Sequence, residues 1–204
     1  MTSLQLIQAV RRIKSRSLPE LRCLRALWQT FNEFAASCNE TALDLAGCTP
    51  GVYTRHLLNS SDDDFLVVLL LWGPGAETSI HDHDSAMGAV MPIIGTIHET
   101  KYQLVRQQQH RVRLEIMETV RLDTMQLTPI LPNDDMQVHL MENACSTAAA
   151  TLHVYLSPLS EFCTYHPADD GSFIKKRKEL RFERDNEWRM LDEYQVWPRA
   201  QLQR

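Results

Sequence analysis

Residues 75–95 read GAETSIHDHDSAMGAVMPIIG in one-letter code, with two histidines, His81 and His83, on either side of one aspartate. The run at 65–71 before it contains only apolar residues. This run is too short to span a membrane and predicts a buried strand, which ends at the turn residues 73–75. On an extended chain, residues two apart point to the same side. If residues 79–84 are extended, both imidazoles therefore enter one cavity, where they can bind a metal.

The first fifty residues have helical rather than strand periodicity. Apolar residues recur every three or four positions in two segments, the second of which runs from 21 to 34. The sequence Ser-Leu-Pro-Glu at 17–20 has the form of a capping box and predicts a helix with Ser17 as its N-cap. We expect the apolar stripe to pack on the neighbouring sheet, with an oligomer interface as the alternative. A shorter helical piece is expected at 39–45.

After Gly51 the sequence changes to short strands separated by turn residues. The predicted strands lie at 53–58, 65–71, 87–94, 97–105, 112–118, 120–126, 135–140, 149–156 and 173–182. Many short strands at regular spacing are typical of a sandwich or barrel. We therefore expect one domain, with a helical N-terminal cover at 1–48, a β-barrel at 49–185 and a C-terminal extension at 186–204 that packs on the barrel.

The composition argues against several classes of function. Lys and Arg number 21 against 26 Asp and Glu, so the formal net charge is -5 and no general attraction to nucleic acid is expected. The basic run at 175–178 is flanked by acids and is interpreted as a solvated strand face. Five irregularly spaced cysteines without a Cys-x-x-Cys pair favour a reducing compartment over a disulfide framework. With no signal peptide or membrane span predicted, we expect a cytoplasmic monomer.

Two histidine motifs resemble those of the cupin superfamily. The stretch at 75–95 resembles the first cupin motif, and the segment at 132–143 resembles the second. The first motif usually supplies a glutamate ligand at the position that Gly88 occupies here. The resemblance implies a mainly β, jelly-roll-like cupin barrel with N-terminal helices. It also implies three metal ligands, all of them neutral imidazoles: His81, His83 and His139.

Further segments narrow the resemblance to the cysteine dioxygenase family of thiol dioxygenases. Tyr-Thr-Arg at 53–55 resembles the element whose arginine holds the substrate carboxylate. Thr-Leu-His-Val-Tyr at 151–155 resembles the family's Ser-x-His-x-Tyr segment, with Thr for Ser. Animal-type members carry a cysteine that crosslinks to the active-site tyrosine. Gly88 occupies that position here, so the chain resembles the bacterial members.

This resemblance implies an iron(II) enzyme that converts L-cysteine and O₂ to cysteine sulfinate. Arg55, with Tyr53, is expected to bind the substrate carboxylate, because a planar guanidinium suits bidentate carboxylate binding. Trp72 is expected to shape the pocket wall. Tyr155, oriented by His153, is expected to donate a hydrogen bond to an oxygen species or to the substrate. Three neutral ligands leave the charge of iron(II) uncompensated, which favours an anionic thiolate.

The residues leave alternatives open. Arg55 can instead pair with one of the acids at 62–64, and Tyr155 can be a buried phenol whose hydroxyl is merely satisfied by His153. The alternative functions are a 3-mercaptopropionate dioxygenase, a non-catalytic cupin that binds zinc or nickel, and a cupin that senses a thiol without turnover. Arg55 favours L-cysteine, because relatives that oxidise 3-mercaptopropionate typically lack an arginine at this position.

Overall fold

The structure, a computed structural model, describes residues 1–41, 43–132 and 138–182. Two α-helices and a 3₁₀ turn precede the strands in this part of the chain: α1 (Ser3–Ser15), α2 (Glu20–Ala35) and the turn Leu45–Gly47. The strands are β1 (Tyr53–Leu57), β2 (Leu66–Trp72), β3 (Ile80–His81), β4 (Gly88–Ile94), β5 (Thr96–Gln108), β6 (Arg111–Asp123), β7 (Thr128–Ile130), β8 (Val138–Glu142), β9 (Ala149–Tyr155), β10 (Glu161–Pro167) and β11 (Phe173–Glu179). Neither helix is long and apolar enough to cross a membrane.

The strands form two antiparallel sheets that share a core. One sheet has the order β1-β2-β9-β4-β7, and the other has the order β10-β11-β6-β5-β8-β3. The second sheet closes on itself because β3 pairs with β10 as well as with β8. This mainly β, jelly-roll-like architecture with helices at the N-terminus confirms the predicted fold class. The extension predicted at 186–204 lies outside the described residues.

Strand β2 lies between two apolar layers. Val67 and Leu69 pack with the helices on one side of the first sheet, whereas Val68 and Leu70 face the second sheet. Both faces of the strand are buried, which explains why the run is continuously apolar instead of alternating with polar residues. The prediction of a buried strand here is confirmed. Because the first sheet is covered on its outer face, its inner face is free to form one wall of an internal cavity.

Helix α2 covers the outer face of the first sheet, as predicted. Leu27 and Phe31 are fully buried against the sheet. Leu21 and Trp28, which belong to the predicted apolar stripe, are 79% and 46% exposed. The stripe that packs is therefore narrower than the sequence indicates.

The predicted N-cap of α2 is wrong. Ser17 has a φ of 44°, the N-cap position is Pro19, and no side chain caps this helix. Ser17 thus lies two residues before the N-cap, and its own backbone is left-handed. A capping box is instead present at the start of α1, where the Thr2 hydroxyl accepts from the Gln5 amide and Gln5 Oε1 accepts from the Thr2 amide.

Several strand predictions change in the folded chain. The two strands predicted between 112 and 126 are the single strand β6, which pairs with β5 along its length and absorbs two register shifts. Strands β7 and β10 were not predicted, because each contains a proline and neither has a sustained apolar pattern. The helical piece expected at 39–45 is a set of turns where it is described, followed by the 3₁₀ turn. Of the strand predicted at 135–140, residues 135–137 lie outside the described residues.

Candidate metal centre

The three predicted metal ligands converge at one point inside the second sheet. One ring nitrogen from each of His81, His83 and His139 lies within 4.8 Å of the other two. His81 on β3 is the direct cross-strand partner of His139 on β8, so sheet pairing brings these two side chains together. His83 and His139 are buried, and His81 is partly buried.

His83 reaches the site through a turn and not through the extended strand that was expected at 79–84. Strand β3 has only two residues, and Asp84 and Ser85 after it have φ values of 46° and 63°. Asp82 anchors this segment to β10, since its carboxylate accepts hydrogen bonds from the Cys163 amide at 2.8 Å and the Tyr165 hydroxyl at 2.7 Å. The two histidines therefore share a cavity, but the geometry depends on the neighbouring strand.

Hydrogen bonds determine which nitrogen of two ligands carries the proton. His81 Nδ1 lies 2.8 Å from the carbonyl oxygen of Ser79, and His139 Nδ1 lies 2.6 Å from Oε1 of Glu99. A carbonyl or carboxylate oxygen accepts hydrogen bonds, so both Nδ1 atoms are protonated. The Nε2 atoms keep their lone pairs and face each other at 3.3 Å. Two nitrogens bound to one cation at 2.0–2.1 Å would be separated by about 2.8–3.4 Å.

His83 supports the same reading. Both of its ring nitrogens are buried, and neither has a hydrogen-bond partner among the described residues. A buried polar group without a partner is costly, so such groups in folded proteins usually have a function. Three imidazoles that present unshared lone pairs to one point are suited to a divalent transition metal. The residues therefore fit a metal ion.

Burial and neighbouring groups keep His81 and His83 neutral. Burial, followed by the neighbouring His139, lowers the pKa of His81 well below its usual value. Burial and then the charges of His139 and His81 lower the pKa of His83 in the same way. Neutral imidazoles are the form that binds metal, so the site is prepared for a cation near neutral pH.

Arg55 and Tyr53 lie on the first sheet, at the opposite side of the cavity. Arg55 Nη2 donates to the Tyr53 hydroxyl at 2.7 Å, and the guanidinium lies 4.9 Å from the centre of the Tyr53 ring. The alternative pairing of Arg55 with acids 62–64 is not seen, because Asp63 binds Arg11 and Asp64 binds Lys14. Among the described residues no carboxylate forms an ion pair with Arg55, so its guanidinium can bind an anionic ligand.

Trp72 lies one layer behind this wall. It is fully buried, its ring stacks on Tyr53 with centroids 5.0 Å apart, and its indole N–H donates to Thr151 Oγ1 at 2.8 Å. The sequence assigned Trp72 to the pocket wall. The structure instead places it behind Tyr53, which lines the open cavity, and against the buried Thr151.

Thr151, His153 and Tyr155 continue this network along β9. The Thr151 hydroxyl lies 2.8 Å from His153 Nε2, and His153 Nδ1 lies 3.4 Å from the Tyr155 hydroxyl. Because Trp72 can only donate to Thr151, the Thr151 hydrogen is available for His153 Nε2. His153 Nδ1 then carries the hydrogen and donates to the Tyr155 oxygen. This leaves the hydroxyl hydrogen of Tyr155 free to enter the cavity.

The protonation states of this pair agree with that assignment. Burial, with His139 and Arg55 nearby, lowers the pKa of His153 to about 3. Burial raises the pKa of Tyr155 to about 12. His153 is therefore neutral and Tyr155 is a protonated hydrogen-bond donor across the physiological range.

A small cavity joins the two sides. It has a volume of about 30 Å³ and is lined by Arg55, His81, His83, His153 and Tyr155, with apolar side chains around them. A second, more open cavity of about 550 Å³ adjoins it and shares Arg55 and His81. Arg55 and one metal ligand, His81, are thus reached from the open cavity, and the inner space suits a small ligand.

Gly88 marks a close approach of two strands. A Cβ atom at this residue would lie 2.0 Å from the carbonyl oxygen of Val154 and 3.2 Å from Cα of Tyr155. Neither the usual cupin glutamate nor the crosslinking cysteine fits here without moving the backbone of β4 or β9. The absence of both groups therefore has one structural cause.

One residue at this site was missed by the sequence analysis. Glu99 on β5 is 2% exposed and binds the metal ligand His139 directly. The signal was the strand pattern, since Ile97 and Glu99 share the inward face of β5 and a charged residue at a core-facing position calls for a partner. The sequence does not show which partner it would meet.

Comparisons with known proteins point to one family. A family model described as cysteine dioxygenase type I matches residues 2–168. Proteins named cysteine dioxygenase type 1 from Rattus norvegicus and Homo sapiens are 28% and 27% identical to this chain over 131 residues. These residues are 64% of this chain and 62% of each relative, so the match spans less than two thirds of the relatives' length.

Solved structures show weaker similarity. A sugar phosphate isomerase of the cupin superfamily from Silicibacter pomeroyi has a TM-score of 0.39 at 19% identity, over 57% of this chain and 69% of that chain. A protein from Thermus thermophilus has a TM-score of 0.42 at 16% identity, over 57% of this chain and 92% of that chain. Values this low carry no argument about function. The family model, by contrast, matches most of the chain. This chain therefore belongs to the cysteine dioxygenase type I family.

Proposed function

We propose that this protein is an iron(II)-dependent thiol dioxygenase that converts L-cysteine and O₂ to cysteine sulfinate. The observation that carries the proposal is a cluster of three imidazole donors, two of which line the same small cavity as Arg55. Among the described residues this arginine has no carboxylate partner. In the reaction both atoms of O₂ are added to the thiol sulfur, and no external reductant is needed. Iron(II), when bound by His81, His83 and His139, would supply a common binding point for the thiolate and O₂ and a route for electrons between them.

Arg55 would bind and orient the substrate through its carboxylate. The guanidinium is held by Tyr53, whose ring is in turn stacked on Trp72, so its position is set before substrate arrives. A charge-assisted hydrogen bond of this kind contributes about 1.5–3 kcal/mol. An amine-only thiol such as cysteamine lacks the carboxylate and would leave Arg55 without a partner. This supports L-cysteine as the substrate.

Tyr155 would act as a neutral hydrogen-bond donor at the reacting end of the cavity. Its hydroxyl hydrogen is free because His153 donates to its oxygen, and its raised pKa keeps the proton in place. Gly88 has no side chain that could form a crosslink to Tyr155, so Tyr155 would function as an unmodified phenol. His153 would be a positioning residue that holds the orientation of Tyr155.

The cellular location proposed for this activity is the cytoplasm. All five cysteines are free thiols, and four of them are only partly buried. Unpaired cysteines are typical of a reducing compartment.

The test is oxygen uptake by protein that has been stripped of metal and reconstituted anaerobically with iron(II). L-cysteine, 3-mercaptopropionate and cysteamine would be added in turn with labelled O₂, and the sulfinates identified by mass spectrometry. We expect cysteine sulfinate with two labelled oxygens as the main product. A preference for 3-mercaptopropionate would keep the reaction but overturn the assigned substrate. Stoichiometric iron without uptake for any thiol would leave a metal-binding cupin or a thiol sensor.

The same assay on Arg55→Gln separates binding of the carboxylate from binding of the metal. We expect iron content to be unchanged and kcat/KM for L-cysteine to fall by roughly 10- to 150-fold, which corresponds to the loss of one charge-assisted contact. The slower rate with cysteamine should hardly change. An equal loss of iron and activity would mean that Arg55 maintains the fold instead.

A further inference from the structure

We propose that Glu99 is a positioning residue for the metal centre, whose carboxylate orients His139 and makes it the strongest of the three ligands. The observation is the 2.6 Å contact between Glu99 Oε1 and the nitrogen of His139 that faces away from the other ligands. The inference rests on the metal centre of the proposed function, but it does not depend on turnover.

The three ligands differ in what lies behind them. His139 donates to a carboxylate, His81 donates to the carbonyl of Ser79, and His83 has no hydrogen-bond partner among the described residues. A carboxylate is a stronger acceptor than a carbonyl, so it draws the Nδ1 hydrogen and increases the electron density at Nε2. The donor strength toward a metal therefore decreases from His139 to His81 to His83.

The contact is built on paired strands and not on a loop. Strand β5 pairs with β8, and in that register Lys101 lies opposite His139 while Glu99 lies opposite Met141. Glu99 is thus diagonal to the ligand across one sheet. The side chains of Glu99 and His139 are only 3% and 4% exposed, so water does not compete for the hydrogen bond.

The Glu99 carboxylate has one direct hydrogen-bond partner among the described residues, His139. Its second oxygen, Oε2, is buried and accepts no hydrogen bond within the described ranges 1–41, 43–132 and 138–182. The nearby ammonium of Lys101 forms its ion pair with Glu118, at 3.1 Å, instead of with Glu99. A buried carboxylate with one direct partner is expensive to desolvate. A cation bound to the other side of His139 would compensate this cost.

The inference also refines the charge of the centre. Gly88 removes the carboxylate that a cupin usually places on the metal, which suggests a fully uncompensated cation. Glu99 returns one negative charge behind a ligand, without occupying a coordination position. The centre therefore keeps its open positions for small ligands while being less positive than three isolated imidazoles would make it.

The experiment compares Glu99→Gln with Glu118→Gln in the full-length chain, using Co(II) alone as the probe. Glu118 is the matched control because it belongs to the same cluster through Lys101 but does not contact a ligand. Affinity is measured by competition with a chromogenic chelator, the ligand field by the visible Co(II) spectrum, and stability by the Tm of metal-free protein. We expect Glu99→Gln to weaken Co(II) binding by about 10- to 100-fold and to shift the spectrum. Glu118→Gln should bind within about twofold of the unmodified protein, the usual effect of an exposed ion pair.

The metal-free Tm separates positioning from a structural role. Gln has nearly the same shape as Glu and keeps an oxygen that can accept from His139, so the metal-free Tm of Glu99→Gln should fall less than the metal-bound Tm. Unchanged Co(II) affinity and spectrum, or a metal-free Tm that falls as much as the metal-bound Tm, would overturn the proposal. Glu99→Asp is the second variant, since it keeps the charge but is one methylene too short for the contact. Its affinity should also fall, and full retention would likewise overturn the proposal.

The outcomes remain distinct from those of the proposed function. If the unmodified protein binds metal but makes no sulfinate, the proposed reaction fails while the Co(II) comparison still tests Glu99. If the unmodified protein binds neither Co(II) nor iron(II), the metal centre is wrong and the role of Glu99 is overturned with it.

Discussion

The two sides of the cavity differ in how fully their polar groups are hydrogen-bonded within the protein. On the first sheet, hydrogen bonds and ring contacts link Arg55, Tyr53, Trp72, Thr151, His153 and Tyr155 into one connected network. On the second sheet, lone pairs of three histidines face each other, and one of these histidines has no hydrogen-bond partner among the described residues. One wall is thus organised by the chain itself, whereas the other is suited to a cation.

This difference suggests a division of work. The connected wall can hold a substrate carboxylate and a neutral phenol in fixed positions, because its groups do not have to rearrange when a ligand arrives. The ligand wall can take up metal because its donors are neutral and already close together. Substitutions on the two walls should therefore have separable effects on metal content and on turnover.

The largest effect is expected for His83→Ala on the ligand wall. Removing one of three ligands should weaken iron(II) binding by more than about 100-fold, since changing only a residue behind a ligand costs 10- to 100-fold. Activity should be lost with the metal. His110→Ala is the control, because this histidine is exposed in the turn between β5 and β6 and is not part of the ligand cluster. Iron content measured by chelator assay after desalting checks the result, and a His83→Ala protein that retains full iron would remove His83 from the ligand set.

Tyr155→Phe tests the connected wall at its reacting end. We expect kcat to fall by about 100-fold or more, in the range for a positioned proton donor, while iron content is unchanged. The measurement is the rate of sulfinate formation per bound iron. A kcat close to that of the unmodified enzyme would support the alternative in which the Tyr155 hydroxyl only satisfies His153.

A smaller effect is expected when the network is interrupted behind Tyr155. Thr151→Val keeps the shape of the side chain but removes the hydroxyl between Trp72 and His153. One neutral hydrogen bond contributes about 1 kcal/mol, so kcat should fall by roughly 5- to 10-fold with iron retained. Thr151→Ser is the matched control and should keep most of the activity. If Val and Ser behave alike, the hydroxyl does not orient His153.

A further effect, separate from metal content and turnover, is on the pH dependence of stability in the metal-free protein. The pKa of His153 is about 3 when folded and near 6.5 when unfolded, so between these values the unfolded chain binds a proton that the folded protein does not. The free energy of unfolding should then increase with pH by up to about 1.4 kcal/mol per unit for each such histidine. Stability is complete above about pH 6.5 and decreases progressively toward pH 3.

Urea unfolding between pH 4.5 and 6.5 measures this slope. Carboxylates, with usual pKa values of about 3.9 and 4.3, still titrate in the lower part of this window, so the slope between about pH 5.5 and 6.5 reports mainly on the buried histidines. The lowered pKa values of His81 and His83 act in the same direction as that of His153. Saturating metal should remove the contributions of the ligands His81 and His83 to this slope. The contribution of His153, which is not a ligand, should remain. A free energy of unfolding that does not change across the window would contradict the neutral, buried state of these side chains.

Much of the site could be predicted because its residues lie in short local patterns. His81 and His83 are two apart, Tyr53 and Arg55 are two apart, and strands or turns place such pairs on one side of the chain. The buried strand β2 was equally predictable, since this continuous apolar run is too short to span a membrane. Two local predictions were wrong: the division of β6 into two strands and the N-cap at Ser17. The first is overridden by the long-range pairing of β6 with β5.

The sequence by itself determined the type of donor at each position and the mainly β class. It also determined on which side of the chain neighbouring residues lie, because side chains in an extended segment alternate with a period of two. Only the tertiary structure decided which distant groups meet: Glu99 behind His139, Trp72 behind Thr151, and β9 against Gly88. These contacts join residues 40, 79 and 66 positions apart, and their geometry depends on strand register and on how two sheets pack. Register and packing are properties of the whole folded chain, so no local pattern contains them.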